Sequence, residues 1–319
     1  SIINEAALFF AYGFLWFIPN VMWMSVDLRP AFPLSYGSFP QILGVVGYLA
    51  LLCAAIWSVM RRRGVLSLAG VALLFPLLLY VTEFATVWVQ DPFVLYRSYL
   101  WAIAVPVLVS IVLTGLQPRT IYILGIAVGI GLGLLAFERV MSLRDDAAAW
   151  GDAAEKIDMR APPNAVGRWR PFLNLGADQL DRGLVAEAQR NLLKADALGA
   201  LNGAARFNVG VALQQQKKHA EAIAAWVEAE KQGFKDLPLY YHRGESEFAL
   251  GQFAAAYESF NRGMQRSAEG VTGDDVTRMR EAMRLRRAEA AIGANRFDEA
   301  LQDFAVLRQT EGFSQRVLL

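Results

Sequence analysis

Residues 209–229, VGVALQQQKKHAEAIAAWVEA, and residues 243–263, RGESEFALGQFAAAYESFNRG, are two copies of one frame. A third copy precedes them at residues 175–195, LGADQLDRGLVAEAQRNLLKA. Gly176, Gly210 and Gly244 fall 34 residues apart. Behind them run Gly183, Lys217 and Gly251, then Ala188, Ala222 and Ala256, then Leu192, Trp226 and Phe260. A small residue lets two helices approach closely, and a large apolar residue four after the alanine sits one turn along the same helical face. Each such unit buries only one of its sides, so neighbouring units must stack to complete a core.

A helix-turn-helix unit with this period and these residue types resembles the tetratricopeptide repeat. A fourth unit follows with a longer offset, Ala288, Asn295, Phe297, Ala300 and Phe304 taking the places of Gly244, Gly251, Phe253, Ala256 and Phe260. The Gly-, Ser- and Asp-rich material around 267–275 predicts a loop and then a lengthened first helix from about Asp274. The expected domain covers residues 166–319, an α-solenoid of about four repeats whose groove would take a peptide or protein segment.

The other half of the chain reads differently. The sequence is 55% hydrophobic, and the excess lies in apolar runs over 6–24, 41–60, 65–82, 98–116 and 120–137. Each is near the length that spans a bilayer core. The expected class is therefore all-α: a polytopic transmembrane bundle of about five spans over residues 1–140, a helical linker over 141–165, then the repeats. The linker helix is expected to continue the fifth span to about Met159 and to stop at Pro162-Pro163. Trp150 and Trp169 there suit either the membrane interface or packing on the first repeat. Glycines at 125, 129, 131 and 133 suit close helix packing in the membrane. Ser1 opens the chain without a Met and meets an apolar run at once, which reads as a fragment. Arg61–Arg63 and Arg119 place their loops in the cytoplasm, so the loops 25–40 and 83–97 and the repeats fall on the outer face. In a Gram-negative bacterium the expected location would be the inner membrane, with the repeats in the periplasm.

Candidate chemistry gathers in the outer loops. Glu83 ends the third run and Arg97 opens the fourth, in Tyr96-Arg97-Ser98-Tyr99-Leu100. Ionisable groups at membrane depth face a bundle interior and pair. Arginine there can grip a phosphate or carboxylate by two parallel hydrogen bonds, and Tyr96 and Tyr99 add hydroxyls. The alternative is an interfacial Glu83–Arg97 pair inside an aromatic belt.

That five-residue stretch looks like the arginine-tyrosine-leucine motif of GT-C superfamily membrane glycosyltransferases. With outer-face repeats, the chain resembles the transmembrane and tetratricopeptide-repeat O-mannosyltransferases and their bacterial relatives. The resemblance implies a polyprenyl-phosphate sugar donor, transfer to an acceptor hydroxyl on the outer face, and repeats that present the protein acceptor. Arg97 would contact the lipid phosphate, with Glu83, Tyr96 and Tyr99 beside it. In that family the catalytic aspartate and metal-contacting carboxylates belong to early outer loops, which the fragment reading would place upstream of Ser1. Asp27 is the single candidate base in the first loop, the alternative being a pair with Arg29.

Other chemistries are set aside by residue type. His219 and His242 are the only histidines and both fall inside repeats, without the Cys or carboxylate spacing of a zinc site. No metal site and no cofactor are evident, and a divalent metal would need ligands upstream of Ser1. Cys53, the lone cysteine, lies in an apolar run and reads as packing. The net charge of +1 gives no support for nucleic-acid binding. The basic stretch Arg278–Arg287 is expected to be the solvated face of a repeat helix. Two functions remain: a glycosyltransferase fragment, and a non-enzymatic membrane-anchored scaffold for protein–protein interaction.

Overall fold

The computed structural model describes residues 2–29, 38–85, 93, 98–161, 166–266 and 273–309, with nothing said of the side chain at 274. The described residues are helical apart from turns and one isolated bridge between Leu28 and Phe93. Two compact units divide at Pro171 and Phe172.

In the first unit α1 (Ile2–Phe17), α2 (Phe39–Arg61), α3 (Val65–Leu79), α4 (Val81–Ala85), α5 (Val105–Leu113), α6 (Pro118–Ser142) and α7 (Asp146–Glu155) follow in order. Among the described residues three helices are long and apolar enough to cross a bilayer: Phe39–Arg61, Val65–Ala85 and Pro118–Ser142. Ile2–Phe17 and Trp101–Leu113 are apolar but shorter. The expected first run therefore ends early. Pro19 disfavours helical backbone at the residue before it, and the chain passes instead into a 3-10 turn over Val21–Trp23, capped by the Asn20 side chain on the Met22 amide.

The core of this unit is aromatic. Tyr12 stacks on Phe93 with ring centroids 4.3 Å apart, and Tyr80 lies 4.8 Å from Trp101. Both tyrosines are buried with Phe9, Tyr48 and Leu77. Their hydroxyls need partners there. Tyr48 donates to the Leu77 carbonyl at 2.5 Å, and Tyr80 to the Glu5 carbonyl at 2.8 Å. Gly44 seats α1 against α2, since a Cβ on it would stand 2.6 Å from the Ala7 backbone.

In α6 the glycines at 125, 129, 131 and 133 approach nothing within 4 Å among the described residues, and no residue of the helix is buried there. Lipid tails are as apolar as leucine, so burial against protein is not needed to satisfy such a helix in a bilayer. Nor does the helix run on to Met159. It stops at Ser142 and restarts at Asp146, because the Asp145 carboxylate accepts the Ala148 amide at 2.9 Å and caps a new N-terminus. A cap of this kind is worth about 1 kcal/mol.

The second unit stacks helical pairs: α8 (Trp169–Asp181), whose first residues lie in the preceding unit, with α9 (Val185–Ala197); α10 (Ala204–Gln215) with α11 (His219–Lys231); α12 (Leu237–Ala249) with α13 (Phe253–Met264); and α14 (Gly273–Gly293) with α15 (Phe297–Gln309). The lengthened helix expected from about Asp274 is α14, of 21 residues. Each glycine of the 34-residue frame lies where two helices cross. A Cβ on Gly176 would stand 2.7 Å from Leu192, one on Gly244 would stand 2.5 Å from Phe260, and one on Gly210 would enter the Trp226 indole. Leu192, Trp226 and Phe260 are fully buried. The turn inside every pair carries a left-handed residue, Gly183 (φ 76°), Lys217 (φ 61°), Gly251 (φ 72°) and Asn295 (φ 61°).

Candidate functional site

Of the residues singled out in the outer loops, Arg97 and Tyr96 lie outside the described residues. Glu83 sits half-buried in α4, and Tyr99 is exposed. Asp27 is buried, with its Oδ1 2.6 Å from Arg29 NH2. No three His, Cys, Asp or Glu side chains among the described residues are grouped to hold a metal ion. Sequence reading overlooked Asn4 and Glu5, which look like ordinary polar residues near a chain start but are buried in α1. Glu5 also receives the Tyr80 hydroxyl at its carboxylate, at 3.3 Å.

The repeats present a more extended surface. α10 touches α12 and α12 touches α14, whereas second helices of successive pairs are not brought together to that extent. The free faces of the first helices therefore line one continuous side of the array, here called its inner side. On α12 that face carries Tyr241, Glu245 and Phe248, spaced one helical turn apart. The repeat register aligns Phe207, Tyr241 and Leu285 in one row, Val211, Glu245 and Glu289 in a second, and Gln214, Phe248 and Ile292 in a third. The surface is apolar over the earlier pairs and gains carboxylates over the later ones.

Arg286 joins the last two first helices. Its Nε is 3.0 Å from Glu245, its NH1 2.8 Å from Glu289, and its guanidinium lies over Phe248 at 5.4 Å. Two carboxylates share one cation. Burial raises the Glu245 carboxyl above its ordinary value, Arg286 opposes this, and Glu289 adds to it. Arg287 turns the other way, donating to Asp303 at 2.6 and 2.8 Å and to Asn261 at 2.8 Å. The basic stretch is thus only partly a solvated face. Arg278 keeps that role, while Arg286 and Arg287 find acidic partners distant in sequence.

Both histidines serve the seam between the second and third pairs. His242 Nδ1 lies 2.9 Å from Gln214 Oε1, and Gln214 Nε2 donates to the His242 carbonyl at 3.1 Å and to Ser246 at 3.2 Å. His219 Nδ1 reaches the same Ser246 hydroxyl at 3.2 Å. Burial lowers the His242 pKa to about 4, so the ring is neutral at pH 7.

No family model matches the chain, and no curated protein matches it. Among solved structures it is similar to a crystal structure of MamA protein, at 20% identity over 53% of this chain and 84% of that one, with a TM-score of 0.41. A MamA structure from AMB-1 aligns at 17% identity over 52% and 90%, with a TM-score of 0.38. A thermophilic TPR protein in Thermus thermophilus aligns at 21% identity over 60% and 96%, with a TM-score of 0.36. Likeness at this level is shallow, and the reading of the second unit as stacked helical pairs rests on its own helix crossings.

Proposed function

We propose that the chain is a membrane-anchored scaffold whose tetratricopeptide-type repeats hold a segment of a protein partner along their inner face. The observation that carries this is the set of rows on the first helices, where half-exposed Tyr241 and Phe248 stand beside Glu245 and Glu289 with a single arginine between the carboxylates. Aromatic anchors with a small excess of negative charge suit a segment bearing apolar side chains and a basic residue. The test places a photo-crosslinking phenylalanine at position 241 of the full chain, with position 193 on α9 as the control. A protein adduct is expected from 241 and not from 193, and it should fall several-fold when exposed Ile292 becomes Glu. Equal adducts from both positions, or an adduct indifferent to Ile292→Glu, would reject the inner face as the binding surface.

The anchoring part of the reading is supported by the three helices of spanning length and composition. Arginines 61–63 and 119 at the ends of these helices argue for a cytoplasmic side there and an outer-face, periplasm-type location for the repeats. A reporter active only outside the cytoplasm is expected to be active when fused after Leu319 and silent after Arg63. The opposite result reverses the orientation. The transfer chemistry implied by the GT-C resemblance depends on Arg97, outside the described residues, and nothing in the surroundings of Glu83, Tyr99 or Asp27 favours it over the scaffold.

A further inference from the structure

α1 runs in the same direction as α2. A Cβ on Gly44 would stand 2.6 Å from the Ala7 backbone and one on Gly47 would stand 3.0 Å from the Phe10 ring, while Phe9 meets Tyr48 edge-on with centroids 5.2 Å apart. Contacts that advance together along both helices make them parallel. α2 and α3 are antiparallel instead, since Ser58 Oγ donates to the Leu66 carbonyl and the Tyr48 hydroxyl to that of Leu77. Tyr80, the residue after α3, donates to the Glu5 carbonyl at 2.8 Å. The first turn of α1 therefore lies at the end of the bundle where α2 begins and α3 finishes.

Consecutive helices that each cross a bilayer alternate in direction unless the chain between them crosses as well. α1 is also short. Its 16 residues rise about 24 Å, less than a hydrocarbon core of about 30 Å. Beyond Pro19 the chain turns through Val21–Trp23 and runs back beside the helix it has left. Trp23 leans on Phe14 with centroids 5.6 Å apart, and Leu28 bridges to Phe93, the residue stacked on Tyr12. The Met24 carbonyl accepts Lys156 Nζ at 2.7 Å, from the end of α7, so the return has by then reached the side of the linker helix. A cavity of about 440 Å³ is lined by Leu8 and Ala11 of the one leg and by Met22, Trp23 and Leu28 of the other. Non-helical backbone is tolerated at membrane depth where protein buries it or where it borders a cavity. The Asp27–Arg29 pair on this return, 2.6 Å apart, is withdrawn from solvent.

We infer that residues 2–29 form a re-entrant segment, which enters and leaves the bilayer at one face, where α3 ends and α7 lies, without crossing to the other. The inference rests on the membrane-anchored reading above. It is independent of what the repeats bind.

Single cysteines introduced into the full chain carrying Cys53→Ser test it, in sealed membrane vesicles treated with a membrane-impermeant maleimide, which needs a thiolate and hence a thiol in water. Exposed Ile2 and Val26 mark the two legs, Met60 the far end of α2, and Val46 a point inside that span. Ile2→Cys and Val26→Cys are expected to react from the same side of the membrane. Met60→Cys should react from the other, and Val46→Cys should stay unlabelled whether the vesicles are sealed or opened. In right-side-out vesicles the Met60→Cys signal should rise several-fold on opening, while those at positions 2 and 26 stay level. The comparison of sides is internal to the chain, so a reversed overall orientation moves all three end positions together and supports the inference equally. Ile2→Cys reacting from the Met60 side, with Val46→Cys protected, would overturn the inference alone and make α1 a crossing helix. Labelling at all four positions in sealed vesicles would overturn the membrane reading and the inference with it.

Discussion

Trp226→Ala is expected to lower the stability of the repeat unit by about 3–5 kcal/mol, the range for removing a fully buried aromatic side chain. Trp226 fills the crossing that Gly210 leaves open, and its Nε1 donates to the Phe207 carbonyl at 3.1 Å. Truncation therefore empties a cavity that the glycine cannot refill and removes the donor to that carbonyl. The helices on either side have no shorter route together, because their backbones are fixed by the neighbouring pairs. Urea unfolding followed by far-UV circular dichroism measures the change. Leu193→Ala, on the exposed side of α9, is the control and should stay within about 0.5 kcal/mol of the parent. A Trp226→Ala loss below about 1 kcal/mol would mean that the crossing is not packed as described.

Acidification should weaken the same unit through His242. A histidine whose pKa is lowered from 6.5 to about 4 by burial binds its proton less readily folded than unfolded. Above pH 6.5 both states are neutral at this ring and the full stability is present. As the pH falls from 6.5 toward 4 the unfolded state takes up the proton first, and stability is lost across that window. Below about 4 both states are protonated and the loss levels off. The gap corresponds to a loss on the order of 3 kcal/mol. Carboxylates titrate near the lower end of this range, so the measurement is the difference between the parent and His242→Gln at pH 7.5, 5.5 and 4.5. Glutamine can keep a hydrogen bond toward Gln214 without titrating. The variant's stability should fall less between pH 7.5 and 4.5, and parallel curves for the two proteins would remove His242 from the account.

The repeat unit was legible because its information is local and periodic. Gly176, Gly210 and Gly244 announce three crossings by spacing alone, and the structure fills each with the large residue that the same frame supplies. The inward turn of Arg286 and Arg287 was not legible, since Glu245 and Asp303 lie 41 and 16 residues away and only folding brings them near. Asp145 is a different case. An aspartate followed by an alanine-rich helix is a start signal, and the expectation of one continuous helix through it gave more weight to apolar continuity than to capping. In the first unit the lengths of the apolar runs were readable, but Pro19, Pro76 and Pro106 shorten or interrupt the helices built from them. A cavity of about 440 Å³ in the first unit, lined by Leu8, Arg29, Phe93 and Lys156 among others, left no mark in the sequence. Its walls come from residues 8–29, 93 and 156–158, and no window contains them.

The left-handed turn inside each pair bears on how such chains are recognised. Four turns share one backbone conformation, yet they are made by Gly183, Lys217, Gly251 and Asn295. For Lys217 the conformation costs roughly 1–2 kcal/mol more than it would for glycine, a cost that the closed crossing beneath Trp226 can absorb. The letter at that position is therefore free to drift as long as the crossing stays tight, and a search pattern demanding glycine there would pass over half of the pairs in this chain. The quantity held constant along the array is an angle, and the residue that realises it is negotiated locally.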